Sequence, residues 1–169
     1  MEALETIFTR RSIRRFTDAS VADEHIETLL RAGMAAPSAG NQQAWEFVVI
    51  DDPAILKAIP TVHPYAQMCA EAPLTLAVCA DPTREKYAGF WVQDCSAATQ
   101  NILLAAHAIG LGAVWLGIAA GGERAHQVAE LLHLPEGIEP LALIAVGHPS
   151  EMKDPEDRYD PVKTHHNGW

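Results

Sequence analysis

Between Asp94 and Glu123 the chain carries no formal charge, and from Ile102 to Gly122 it is nearly all apolar. Such a stretch either crosses a bilayer, which takes ~20 apolar residues, or is covered by protein on every side. Membrane helices usually carry basic cytoplasmic flanks. Here the near flanks are Asp94 and Glu123-Arg124, and Gly110 and Gly112 punctuate the middle. The stretch therefore reads as a buried helix running directly into a buried strand, as in a layered α/β core. No membrane partner is expected.

The rest of the chain supplies matching pieces. Leu4, Ile7 and Phe8 recur at helical spacing within residues 2–9. Ser20 and Asp23 have capping-box spacing, and Ile26, Leu29, Leu30 and Gly33 then line one face of a helix that must end before Pro37. Glu46–Asp51 reads as a strand, and Asp52-Pro53 as the cap and first-turn proline of a short helix through Ile59. Leu74–Ala80 is a second strand. A long helix over about Phe90–Ile109 is stopped by Gly110, and Ala113–Ile118 is a third strand. Glu123–Leu134 is a helix closed by Pro135, and Leu141–Val146 a fourth strand. Helices alternating with four short strands define a layered mixed α/β or α+β domain. At 169 residues it is a single domain, 1–169, able to bury its core without disulfides or metal.

With 22 acidic and 12 basic side chains, the net charge is -10. Such a chain is repelled by nucleic acid and anionic membranes unless its cations are concentrated. They are: Arg10, Arg11, Arg14 and Arg15 fall within one short run. Guanidinium groups fork onto phosphate oxygens and the Ser12 hydroxyl adds a donor, so the run is an anion site or else a solvated basic turn. Ala36–Gln43, a loop of small residues and amides, lets a flat ligand approach closely; the plain alternative is a helix-to-strand connection. Gly110-Leu111-Gly112 superficially suggests a dinucleotide fingerprint, but the third glycine is missing and the glycines follow a helix. The strand after them could instead offer backbone N–H and C=O groups to a heterocycle. There is no G-x-S-x-G and no P-loop. Cys69, Cys79 and Cys95 are odd in number and lack C-x-x-C spacing, which fits buried small hydrophobes in a reducing compartment. His165-His166 has no third ligand near it, so no metal site is expected, and His107 in the apolar helix reads as a hydrogen-bonded core residue. Glu2, Glu5 and the arginines interrupt any signal peptide, so a cytoplasmic location is expected.

Five segments in register carry a resemblance: RRSIRRF (Arg10–Phe16), APSAGNQQAWEFVV (Ala36–Val49), QNILLAAHAIGLGAVWLGI (Gln100–Ile118), IAVGHPSE (Ile144–Glu151) and the closing EDRYDPVKTHHNGW (Glu156–Trp169). Together they resemble the FMN-dependent nitroreductase family in its short single-domain form. The resemblance implies an α+β nitroreductase-like fold, with a central, mostly antiparallel sheet of four to five strands flanked by helices. It also implies an intertwined homodimer with two FMN sites at the subunit interface, and residues 148–169 as a C-terminal extension packing on the partner. By position, Arg10, Arg11, Ser12 and Arg14 match the family's phosphate- and pyrimidine-side flavin contacts. Pro37, Ser38, Ala39 and Asn41 match a loop donated by the other subunit. Leu116 and Gly117 match the strand-end backbone at the flavin N5 edge, and Arg158 a late basic residue that returns to the phosphate.

The chain departs from the pattern in three places. Ala44 replaces the usual proline before the tryptophan. The basic or amide contact before the second strand falls in His63–Met68, with Gln67 the candidate. Only the short segment 81–89 stands where larger members insert helices over the flavin. The activity implied is hydride transfer from NADH or NADPH to flavin N5, then from N5 to a small electron-poor acceptor such as a nitroaromatic, quinone or activated alkene, in ping-pong order. The flavin bears the chemistry, so no catalytic side chain is assigned. The same scaffold can serve enone reduction, dehalogenation or flavin fragmentation, or hold flavin without turnover.

Overall fold

Leu74–Ala80 forms the second strand as read, and every residue in it is buried. A strand hidden on both faces requires a layer of helices on each side. The computed structural model, which describes all of residues 1–169, has both layers. Its elements are α1 (Ala3–Thr9), α2 (Asp23–Met34), β1 (Trp45–Ile50), α3 (Pro53–Val62), β2 (Leu74–Ala80), α4 (Trp91–Ala108), β3 (Gly112–Gly117), α5 (Glu123–Leu131) and β4 (Glu139–Gly147). The four strands form one open sheet in the order β1-β2-β4-β3, with every neighbour antiparallel.

The alternation along β2 sorts the two cores. Leu74, Leu76, Val78 and Ala80 face Leu29 of α2 and Cys95, Ala98, Ile102 and Ala106 of α4. Ala77 and Cys79 face the opposite layer, with Leu56 and Ile59 of α3 and Ala125 and Val128 of α5. The uncharged stretch is thus α4 running into β3, as its sequence implies. No helix is long and apolar enough to cross a membrane.

Some element ends differ from the sequence reading. Ser20 does not cap α2: the helix starts at Asp23 behind Ala22, with no side-chain cap. Asp23 and Glu24 instead place negative charge at the helix's positive end. Helix α3 continues past Ile59 to Val62 with Pro60 inside it. In the last turn that proline costs only one backbone bond, and the His63 N–H still reaches the Ile59 carbonyl at 2.9 Å. Helix α5 stops at Leu131 rather than Leu134, and His133 at φ 51 turns the chain away.

The edges of the sheet place the functional segments. Strand β3 is one edge. The arginine run lies along it, with Ser12 bridged in parallel to Ala113 and the Ile13 N–H on the Ala113 carbonyl at 3.0 Å. This approach needs Gly112, where a Cβ would stand 2.7 Å from Ile13 Cγ2. The chain after β4 then closes over the run. The Thr17 N–H donates to the His148 carbonyl at 2.9 Å, and the Ser150 N–H to the Arg15 carbonyl at 3.0 Å. Strand β1 is the opposite edge, and the loop 36–43 leads into it.

Candidate active site

Helix α1 ends at Arg10, whose N–H caps onto the Thr6 carbonyl at 3.1 Å, and the chain continues extended along β3. This brings Arg10, Arg11, Ser12 and Arg14 to one wall of a cavity of about 200 Å³; Lys153 and Arg158 from the C-terminal segment complete it. No apolar residue lines it. Lys153 Nζ donates to the Ser12 carbonyl at 2.8 Å and lies 3.3 Å from Glu151 Oε1. That carboxylate accepts the Arg14 N–H at 2.6 Å, which holds the Glu151 carboxyl below its ordinary value. Arg11 donates to the Asp154 carbonyl and lies 3.3 Å from Glu156; Arg158 meets the same carboxylate at 2.9 Å. The Glu156 carboxyl is pulled below its ordinary value chiefly by Arg158 and then Arg11. Burial pulls the Arg10 pKa down, and the charges of Arg158 and Arg11 add to that. These are crowded cations that already draw two carboxylates, Glu151 and Glu156, and they have the shape and donor set for a further oxyanion.

Two larger hollows flank the cluster. One of about 640 Å³ shares Arg14 and Lys153 and includes Gln67, which donates to the Pro64 carbonyl at 3.4 Å. The other, about 890 Å³, shares Arg10, Arg11 and Arg158 and adds an apolar wall of Ile7, Phe8 and Tyr159. Further along β3, the Leu116 side chain is packed in the second core while Gly117 is exposed. The Gly117 carbonyl lies 3.1 Å from His63 Nε2. A carbonyl only accepts, so Nε2 carries the proton and Nδ1 is left an unpaired acceptor. Burial, the larger influence, keeps the His63 pKa below 6.5.

The loop at the β1 edge is built from left-handed residues, Gly40, Asn41 and Gln43 at φ 53, 55 and 50. A Cβ at Gly40 would collide with Tyr87 Cε2. The loop is held from behind. Asp94 Oδ1 accepts the Ala39 N–H at 2.9 Å and Oδ2 accepts Gln42 Nε2 at 2.6 Å. Gln42 Oε1 takes the Lys86 and Tyr87 N–H groups at 2.9 and 3.2 Å, and Ser38 Oγ takes the Gln43 N–H at 3.1 Å. Pro37 and Asn41 are left exposed.

One chain therefore brings together Arg10, Arg11, Ser12, Arg14 and Arg158, with Gln67 on their flank. It does not bring Pro37, Ser38, Ala39 or Asn41 to them. Helix α4 measures the separation. Thr9 touches His107 near its C-terminal end at 2.8 Å, whereas Ala39 touches Asp94 in its first turn. Thirteen residues at ~1.5 Å each set these ends roughly 20 Å apart. Lys153 and Asp94 escaped the sequence reading, as did the bridging role of Gln42 within its amide-rich loop. Asp94 gave the clearest signal, as the one formal charge in an otherwise uncharged helix.

A three-layer fold with a cation-lined cavity at one sheet edge and an amide-rich loop at the other matches a known pattern. The chain belongs to the nitroreductase family, whose family model matches residues 7–62 and 61–148. It is 45% identical over 172 residues to an Archaeoglobus fulgidus protein provisionally named NADH dehydrogenase/NAD(P)H nitroreductase, covering 99% of each chain. A similarly named protein of Parabacteroides distasonis has a solved structure that superposes with a TM-score of 0.94 at 41% identity, over 99% of this chain and 98% of that one. A provisionally named nitroreductase of Desulfovibrio desulfuricans, solved in complex with FMN, gives a TM-score of 0.85 at 34% identity, over 100% of this chain and 98% of that one.

Proposed function

We propose that the protein is an FMN-dependent NAD(P)H oxidoreductase that reduces nitroaromatics, quinones or similar electron-poor acceptors, working as a homodimer with two shared flavin sites. The observation that carries this reading is the purely polar cavity of Arg10, Arg11, Ser12, Arg14, Lys153 and Arg158. It fits one terminal phosphate: its size is right for a compact dianion, its donors are charged, and the Glu156 carboxylate already occupies its rim. A pyrophosphate usually calls instead for a glycine-rich turn at a helix start.

When bound, FMN supplies hydride acceptance and donation at N5. The chain's part is to bind, orient and polarise. Arg10, Arg11, Arg14, Lys153, Arg158 and the Ser12 hydroxyl anchor the phosphate. The same positive field favours negative charge on a reduced ring system, and the neutral Gln67 amide stands on its flank as a hydrogen-bonding group. Exposed Gly117 offers backbone at the strand end. Pro37, Ser38, Ala39 and Asn41, out of reach within one chain, come from the partner. Exposed Leu4, Ile7 and Phe8 on α1, and Tyr159, Val162 and Trp169 in the extension, give the partner an apolar surface to cover. Three free buried cysteines fit a reducing, cytoplasmic setting.

The test is direct. The purified protein should be yellow, release FMN on denaturation, and bleach under anaerobic NADH or NADPH. Protein that stays colourless after incubation with excess FMN would overturn the reading. A small panel of nitroaromatic, quinone, enone and halogenated acceptors then assigns the reaction.

A further inference from the structure

Asp94 is 4% exposed and is the one charged residue of α4, yet no step of the proposed chemistry uses it. Both its oxygens are committed as acceptors, Oδ1 to the Ala39 N–H at 2.9 Å and Oδ2 to Gln42 Nε2 at 2.6 Å. Gln42, 7% exposed, cannot turn over to relieve this arrangement, because its Oε1 already accepts the Lys86 and Tyr87 N–H groups. The network thus demands a residue at position 94 that accepts twice and donates nowhere, which an ionised carboxylate does and an amide does not. Beside it the backbone is left-handed at Gly40, Asn41 and Gln43. Non-glycine residues hold that conformation only where their surroundings over-determine it. Here the surroundings are Asp94, Gln42, the Tyr87 ring and Lys86 Nζ, which donates to the Gly40 carbonyl at 3.0 Å.

We propose that Asp94 is a positioning residue for FMN held on the partner subunit. Through Gln42 and the Ala39 amide it presents Pro37, Ser38, Ala39 and Asn41 in one fixed loop conformation. Its own chain's arginines lie near the other end of α4, so the flavin it serves sits on the other protomer's arginines. The proposal rests on the shared FMN site proposed above.

Asp94→Asn sets an N–H group against either the Ala39 N–H or the Gln42 amide. It should weaken FMN binding about tenfold, read by quenching of flavin fluorescence well below the melting temperature of the apoprotein. Adding Gln42→Glu reverses the polarity of the contact at unchanged volume and net charge. The new amide at 94 donates to the new carboxylate at 42, whose other oxygen still accepts the Lys86 and Tyr87 amides. The double variant should return to within about threefold of wild-type affinity. Unchanged affinity in Asp94→Asn, or no recovery in a double variant whose apoprotein melts like wild type, would overturn the proposal. Should Asp94→Asn fail to fold, Gln42→Ala cuts the same link from the loop side and should show the same loss of affinity.

The partner claim is read in purified heterodimers. Pairing an Arg10→Ala subunit with an Asp94→Asn subunit should leave one site of wild-type FMN affinity, because both lesions fall on the other. Absence of that site, while an Arg10→Ala/Asn41→Ala heterodimer does possess one, would place Asp94's action within its own chain and sink the proposal alone. Absence from both heterodimers would sink the shared-site reading, and this proposal with it.

Discussion

Within the arginine run, neighbouring residues face different surroundings. Arg10 and Arg11 line the small polar cavity, whereas Arg15 faces the hollow with Phe16 and Gln67. Arg10→Ala should therefore cost about 1.5–3 kcal/mol of FMN affinity, roughly ten- to a hundredfold, and Arg15→Ala much less. Equal losses in a flavin titration would show that the run acts as diffuse charge. His63 makes a second prediction at this scale. Its native pKa lies below 6.5, its ordinary value, mainly because it is buried. Below about pH 6.5 the unfolded chain takes up a proton that the native chain refuses, so stability present above that pH is lost as pH falls. His107 shifts the same way, by burial and then by Arg10. The melting temperature of the apoprotein should drop between about pH 7.5 and about pH 5.5, and His63→Gln should flatten the slope. The carboxyls held low, Asp81, Glu151 and Glu156, lose their contribution only in more acid solution. The four arginines of the run were legible in the sequence because they fall between positions 10 and 15. Lys153 was not, since it reaches Ser12 across 141 positions from a polar tail with no periodicity. Gln42 was read only as one amide among several, because its role exists only once α4 brings Asp94 beneath it.

Elements were most legible where one period governed the whole segment. Strand β2 matched end to end, and α4 and β3 matched to within a residue or so, because their burial leaves little choice. Boundaries went astray where backbone chemistry competed with pattern, as at the unused Ser20 and at left-handed His133. The seam between β3 and the arginine run is the element contact on which the site depends. Gly112→Ala places a methyl within 2.7 Å of Ile13 Cγ2 and 2.9 Å of its Cβ. Overpacking of this kind costs about 1–3 kcal/mol. Here part of the strain should appear as displacement of Ser12, so FMN affinity should fall together with the melting temperature. Ile13→Ala in the same chain makes room and should restore a share of both. A variant that loses stability but binds FMN as wild type would show that the edge pairing does not set the cavity.

For the whole molecule, the proposed shared site asks two segments held at opposite ends of α4, roughly 20 Å apart, to meet one ligand. An isologous dimer would bring them together by twofold symmetry without any change in fold. Random pairing of Arg10→Ala and Asn41→Ala subunits makes about half the dimers mixed, each with one intact site, so about a quarter of all sites should recover. Co-refolding the two inactive variants should return about that share of bound flavin and NADH turnover. No recovery, with mixed dimers confirmed by tagged pull-down, would mean that each site lies within one chain. The molecule's overall charge of -10 also bears on how a phosphate arrives. The cavity is the positive exception on an acidic body, and Glu156 already spans Arg11 and Arg158 at its rim. A phosphate taking the proposed site would displace a tethered carboxylate as well as loosely held ions, so ligation would be an exchange of anions rather than the filling of a bare charge. A tethered competitor does not dilute away when salt is lowered. The gain in affinity at low ionic strength should therefore be shallower than a count of the lining cations suggests, and steeper in Glu156→Gln.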